Sequence, residues 1–194
     1  MSRRAEVHRK TLETEVTVTI ELDGSGMAAV TTGVGMYDHL LATYAHHGMF
    51  DLEVTASGDL HVDDHHTVED TALLLGAAIA EALGDRTGVH RFGDASVPMD
   101  EALARAAVDV GGRPYAVVSL PFATERIGTL STQNIGHALE ALARGGGFTI
   151  NVSATGGNDH HIAEAAFKAL ARAMRFAVAP DELRIGPAST KGTT

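Results

Sequence analysis

His65, His66 and Glu69 stand in the chain as His-His-x-x-Glu, and His160, His161 and Glu164 repeat the phrase 95 positions on. At the start of a helix, residues i and i+4 share a face, so His65 with Glu69, and His160 with Glu164, can each close on one metal ion. The second histidine of each pair points about 100° further round, as 3.6 residues per turn requires, and is free for another ion. Imidazole and carboxylate without sulfur suit manganese, iron, cobalt or zinc, and the sequence does not choose among them. The chain has no cysteine, which excludes thiolate ligation, thiolate catalysis and disulfides. The competing reading is a solvated polar first turn, with Asp64 and Asp159 as caps and glutamate favoured near a helix N-terminus by the dipole. A single copy would be better explained that way, because short motifs match freely. Two copies reverse the weighing: a duplicated surface turn is free to drift, whereas His, His and Glu keep the same three places in both.

The copies belong to a wider repeat. A shift of 98 residues lays His39 on His137, Leu41 on Leu139, Phe50 on Phe148, Val54 on Val152 and Gly58 on Gly156 without a gap, and a loop shorter by three residues then aligns the two His-His-x-x-Glu phrases. This is an internal duplication of a unit of roughly ninety residues. With His39 and His137 added, the inventory is six histidines and two glutamates, enough for two sites of four protein ligands.

The elements that must position these residues follow from periodicity. VTVTIEL at 16–22 alternates like a strand, DGSG signals a turn, and MAAVTT completes an expected hairpin. Helical spacing runs from Tyr37 to about His47, DLEVTA at 51–56 reads as a strand, and HHTVEDTALLLGAAIAEALG reads as a long helix capped by Asp64 and ended by Gly84. The second half repeats the order with LARAAVDV, GGRPYAVVSL, a helix over about 131–143, FTINVSA, and a helix over about 160–178 before Pro180; GGG at 145–147 reads as a connector. The expected fold is α+β, a β-β-α-β-α unit occurring twice (halves about 1–94 and 95–194) and packed with pseudo-twofold symmetry as a single domain over 1–194.

Composition narrows the function. Fifteen Lys and Arg against twenty-five Asp and Glu give a net charge of −10, which argues against nucleic-acid binding. No apolar run approaches the roughly eighteen residues of a membrane span, so a cytoplasmic protein is expected. An anionic substrate would need a local basic cluster, and Arg91, Arg113, Lys168, Ser189, Thr190 and Lys191 can supply one, although each taken singly is an ordinary surface residue. Glu13 reads as a charged flank before the first strand, and His46 and His47 suit the end of a helix.

TGVGMYDHLL, AHHGMFDLEV, GDLHVDDHHTVEDTALLLG, HRFGDASVPMDEALARAAVDVGGRPY, GNDHHIAEAAFKALARAMR and PASTKG together resemble imidazoleglycerol-phosphate dehydratase of histidine biosynthesis, and the resemblance spans about Arg9 to Gly192. It implies a ribosomal protein S5 domain 2-like fold and a lyase that removes water from imidazole glycerol phosphate to give imidazole acetol phosphate. It also implies two manganese ions per active site and a homo-oligomer of about 24 subunits with metal sites between subunits. By matching positions, the metal ligands would be His39, His65, His66, Glu69, His137, His160, His161 and Glu164. Substrate contacts would fall on Glu13, Arg91, Arg113, Lys168, Ser189 and Lys191, and the catalytic set on Glu13, His65, Glu69, His160 and Glu164. The chain departs from the family pattern at Asn151, where a histidine is usual, and in YDHLL.

The chemistry explains why two metals are wanted. The proton to be lost lies on a carbon with no neighbouring carbonyl. Metal at both ring nitrogens would make the ring an imidazolate that expels the hydroxyl on the attached carbon, with Glu13 as acid-base group. Two other readings remain open at this point: a dinuclear phosphate-ester hydrolase, and a metal-storage oligomer.

Overall fold

The computed structural model describes residues 3–190. The first half runs β1 (Arg4–Lys10), β2 (Thr14–Glu21), β3 (Ala28–Thr31), α1 (Gly35–Gly48), β4 (Asp51–Gly58) and α2 (His65–Leu83). The second runs β5 (Phe92–Met99), β6 (Ala102–Asp109), β7 (Tyr115–Ser119), a small hairpin of β8 (Arg126–Ile127) and β9 (Leu130–Ser131), α3 (Thr132–Gly146), β10 (Thr149–Thr155) and α4 (Asp159–Val178). The two four-stranded sheets have the orders β1-β2-β4-β3 and β5-β6-β10-β7. Their registers correspond as well: Val54 lies between Val18 and Val30, and its counterpart Val152 lies between Ala106 and Val118. The α+β class and the duplication therefore hold down to single residues.

Each four-stranded sheet has one more strand than its periodicity announces, and the second unit adds the short β8–β9 hairpin. β1 and β5 are both edge strands. β1 fully buries only Ala5, so it shows no apolar alternation, and β5 contains Gly93 and Pro98, residues that a central strand would reject but an edge tolerates. The expected pairing of β2 with MAAVTT is also replaced. β2 pairs antiparallel with β1 and β4, and β3 pairs parallel with the far side of β4. The DGSG turn is used to cross β4: Asp51 Oδ1, at the start of that strand, accepts from Ser25 N at 2.8 Å and Met27 N at 3.0 Å.

Each sheet turns its apolar face to the helices. α2 lies over β1 and β2, α4 over β5 and β6, α1 over β3 and α3 over β7; α2 then packs on α3 and α1 on α4, so each helix pair joins the two halves. One buried cluster runs through both, with Val16, Val18 and Ile20 of β2 facing the same core as Ala104 of β6 and Ile150 and Val152 of β10. The α2–α3 contact is backbone to backbone: a Cβ at Gly76 would lie 2.3 Å from Leu142 O, and one at Gly145 would lie 2.0 Å from Leu73 O. Among the described residues, no helix is long and apolar enough to cross a membrane.

The four helices begin at one end of this sandwich. Asp64, before α2, accepts from Ser131 N and Oγ, both at 2.7 Å, just before α3. Asp159, the first residue of α4, accepts from Ala123 N at 3.0 Å and Thr124 N at 2.7 Å, while Thr124 O accepts from Thr132 Oγ1 at the start of α3. Asp64 occupies the expected N-cap position of α2 but its side chain makes no cap bond, and Asp159 lies inside α4 with Asn158 as the cap, so both carboxylates serve as braces between helices. The amide of His65 is capped by Asp63 Oδ1 at 2.8 Å, and that of His160 by Asn158 Oδ1 at 2.9 Å.

Candidate metal centres

The helix pairs carry the repeated histidines to two clusters at that shared end. In one, His39 of α1 meets His160 and Glu164 of α4; in the other, His137 of α3 meets His65 and Glu69 of α2. Each cluster combines the first and fourth-following residues of one half's His-His-x-x-Glu with the lone histidine of the other half, so the pseudo-twofold operation exchanges them. Glu164 Oε2 lies 2.9 Å from His39 Nε2 and 3.1 Å from His160 Nε2. Glu69 lies 3.5 Å from His65 Nε2 and 3.3 Å from His137 Nε2, and the His65 and His137 rings stack with centroids 4.7 Å apart.

These residues fit a divalent cation with nitrogen and oxygen ligands. In each cluster the candidate ligand atoms lie within 4.8 Å of one another. Atoms bound at roughly 2.0–2.2 Å to one ion are at most about 4.4 Å apart, so only a small contraction is needed. His137 Nε2 is buried with no hydrogen-bond partner of good geometry, the state expected of a nitrogen whose intended partner is an ion. Burial alone would raise Glu164, but hydrogen bonds from His39 and Lys168 outweigh it and bring its pKa to about 2, so it is an anion throughout the physiological range. Burial likewise pushes Glu69 up, while Arg144 and His137 more than reverse the effect.

The second histidine of each phrase turns away, as the helical angle requires. His66 Nδ1 lies 3.0 Å from Asp59 Oδ2, and His161 Nδ1 lies 2.8 Å from Glu101 Oε2. A carboxylate accepting at Nδ1 fixes the tautomer that leaves Nε2 as the donor to metal. Among the described residues, neither His66 nor His161 joins a cluster of its own chain.

The hairpin ends reveal a further correspondence. Glu13 and Glu101 each immediately precede the second strand of their unit, β2 and β6. Glu101 is committed: it accepts from His161, from Asn158 N at 2.8 Å and from Gly157 N at 3.2 Å, which hold its pKa at about 2. Glu13 is mostly exposed, and among the described residues its carboxylate pairs with His66 Nδ1, at 3.8 Å. Glu101, Asp59 and Arg144 were not singled out from the sequence. Pairing β1 with β5 would have exposed Glu101 as the partner of Glu13, but β1 buries only Ala5 and β5 carries Gly93 and Pro98, which disguise it as a strand.

The basic residues divide. Lys168 sits beside one candidate metal cluster, its Nζ 2.7 Å from Glu164 Oε1. Arg91, Arg113 and Ser189 gather at the opposite end of the molecule, where the tail runs back along residues 87–91. Arg91 N donates to Ala177 O near the end of α4, 17 residues beyond His160, which places this group roughly 25 Å along the helix from the metal cluster. Lys191 lies outside the described residues. Asn151 is on the outward side of β10, away from both clusters.

A sequence model of the family described as imidazoleglycerol-phosphate dehydratase matches residues 32–174. The chain is 55 % identical over 190 residues to the imidazoleglycerol-phosphate dehydratase of Methanothermobacter thermautotrophicus, covering 98 % of this chain and 97 % of that one. It is 50 % identical over 192 residues to that of Cereibacter sphaeroides strain KD131, covering 98 % of each. A crystal structure of IGPD from Pyrococcus furiosus in complex with (S)-C348 superposes with a TM-score of 0.84 at 35 % identity, covering 97 % of this chain and 100 % of that chain. One from Staphylococcus aureus N315 gives 0.82 at 31 % identity, covering 91 % and 99 %.

Proposed function

From the premise that this chain belongs to the imidazoleglycerol-phosphate dehydratase family, hydro-lyases of histidine biosynthesis, we propose how its residues carry out the dehydration. The observation that carries the reading is the pair of two-histidine, one-glutamate clusters, each made by both halves of the duplication. His39, His160 and Glu164 would hold one manganese ion and His65, Glu69 and His137 the other. His66 and His161, directed outward by Asp59 and Glu101, would supply the fourth ligands to neighbouring copies. Ions held by these residues would act as Lewis acids toward the substrate's imidazole ring and would make loss of its N–H proton and of the hydroxyl on the attached carbon easier.

The remaining work falls to side chains. Glu13 is the acid-base group: it is the uncommitted member of the Glu13/Glu101 pair and lies on the same end of the molecule as the ligands. It takes the proton from the second carbon, and the resulting enol becomes the ketone. Lys168 partners Glu164, and its ammonium also reaches toward incoming substrate. Arg91, Arg113, Ser189 and Lys191 bind the phosphate and so fix the ring's orientation.

The substrate has only three carbons and an ester oxygen between ring and phosphorus. It does not span the roughly 25 Å between clusters in one chain, so the phosphate group of residues would come from another copy. This separation supports a closed homo-oligomer, of about 24 subunits by family resemblance, with active sites between subunits. A cytoplasmic location suits such an enzyme. The test is to load purified protein with manganese and supply imidazole glycerol phosphate. Formation of imidazole acetol phosphate with two ions per chain is expected; release of inorganic phosphate without a ketone would indicate the hydrolase, and metal binding without turnover a storage protein.

A further inference from the structure

Asp109, the last residue of β6, is the point on which the basic group is built. It is a nearly buried carboxylate, 13 % exposed, and it receives Arg91 as a fork: Arg91 Nε donates to Oδ1 at 2.7 Å and Nη2 to Oδ2 at 3.0 Å. Arg113, four residues on and largely open to solvent, approaches Oδ2 with Nη2 at 3.6 Å, and Gly111 N donates to Oδ1 at 2.8 Å. The remaining arm of Arg91, Nη1, donates to Ala188 O, the residue before Ser189. One carboxylate therefore gathers two arginines and, through the first, the segment that leads to Ser189.

The slot for Arg91 is shaped by backbone. A Cβ at Gly111 would lie 2.6 Å from Arg91 Nε and Nη2, so the guanidinium occupies space that only a glycine leaves. Arg91 itself has φ +72°, a conformation its side chain does not favour, held by Arg91 N to Ala177 O at 2.8 Å and Val110 N to Arg91 O at 3.0 Å. A buried ion pair is stabilising only when its geometry is good and its spare hydrogen-bonding groups are met; here Gly111 N meets the carboxylate and Ala188 O one arm of the guanidinium, which leaves the outer Nη1 and Nη2 hydrogens for a ligand. An arginine fork locked at one edge also has a fixed remaining edge to offer, which is how a flexible cation becomes a directed one.

We propose that Asp109 is a positioning residue for phosphate: it sets the Arg91 and Arg113 guanidinium groups and the Ser189 segment as one unit, without touching the substrate. The proposal rests on the reading of Arg91, Arg113 and Ser189 as the phosphate site.

Steady-state kinetics on the manganese-loaded assembly, with competitive inhibition by inorganic phosphate as a second readout, test it. Asp109→Asn keeps the shape of the side chain but removes its charge and half of its accepting capacity. It should raise KM and the inhibition constant for phosphate about tenfold or more, the consequence of losing at least one charge-assisted contact, while kcat falls far less and metal content stays at the wild-type value. Gly111→Ala provides the same test with both charges in place, because its Cβ displaces the Arg91 guanidinium, and it serves if Asp109→Asn does not fold. Arg113→Ala separates the two ideas. If it weakens phosphate inhibition while Asp109→Asn and Gly111→Ala leave it unchanged, the positioning role is wrong and the phosphate site stands. If none of the three changes KM or phosphate inhibition, the phosphate site itself is misplaced. A rise in KM matched by loss of bound metal would overturn the proposal in favour of a general structural role.

Discussion

His39 Nε2 lies 2.9 Å from Glu164 Oε2, across a helix contact between the two halves of the duplication, although the two residues are 125 positions apart in the chain. His39 has no cluster partner within its own repeat unit, and Glu164 has only His160. A single unit would hold a His-His-x-x-Glu helix and an isolated histidine, and only the packing of α1 on α4 and of α2 on α3 brings them together. The two candidate metal clusters are thus a product of the duplication, and a shared role in both would account for the same residue types at the same places in each half.

His65→Ala and His160→Ala should each abolish dehydration and reduce metal content from two ions per chain toward one, because each removes a ligand from a different cluster. Elemental analysis of the purified variants, beside turnover, checks this. Wild-type turnover with full metal occupancy in either variant would remove that histidine from the site.

Arg113→Ala and Lys191→Ala should raise KM by roughly 10- to 150-fold with metal content unchanged, the equivalent of losing a charge-assisted contact worth about 1.5–3 kcal/mol. An unchanged KM in both would place the phosphate elsewhere.

Gly76→Ala should destabilise the fold by about 1–3 kcal/mol, since its Cβ would lie 2.3 Å from Leu142 O and the α2–α3 backbone contact would have to open. The urea midpoint measures it directly, and metal affinity at the His65, Glu69 and His137 cluster should fall with it because that contact sets the cluster's geometry. An unchanged midpoint would show that the helices can separate freely.

Burial pushes the Asp109 carboxyl up, but the Arg91 fork more than reverses this and holds it below its ordinary value of 3.8. A depressed carboxylate contributes stability that is fully present above the unfolded pKa and is lost as pH falls through the folded one. The wild-type chain should therefore lose stability relative to Asp109→Asn as pH drops below about 4, with the two denaturation midpoints converging in acid. Curves that stay parallel from pH 7 to pH 2 would show that the pair contributes nothing.

Much of this was legible in the sequence. Residues suited to holding a metal are restricted in type and spacing and so stand out, and the shift of 98 residues that superposes His39 on His137 also superposes Val54 on Val152 in the centre of the sheets. What escaped was whatever lies at an edge or acts through another residue. β1 and β5 are polar or broken by Gly93 and Pro98, and with them went the correspondence of Glu13 and Glu101. The pairing of β3 with β4 instead of β2 depends on Asp51 gathering the DGSG turn, a contact that no local pattern announces. Asp109 gave no signal of its own, because its meaning comes from two arginines and a tail that meet only in the folded chain.

Stripping the metal with a chelator should break the assembly into smaller oligomers, and restoring manganese should rebuild it. An ion whose ligand set is completed only between copies stabilises the assembled state by mass action. Light scattering after size-exclusion chromatography reads the mass in both states. A constant mass while analysis finds no metal would disconnect assembly from the ions.

The most direct test is anomalous diffraction from manganese-loaded crystals at the manganese absorption edge. Two peaks per chain are expected, one about 2.0–2.2 Å from ligand atoms of His39, His160 and Glu164 and the other at the same distance from those of His65, Glu69 and His137, each also reached by His66 or His161 of a neighbouring copy. A single peak per chain, or peaks lying away from these two clusters, would contradict the account.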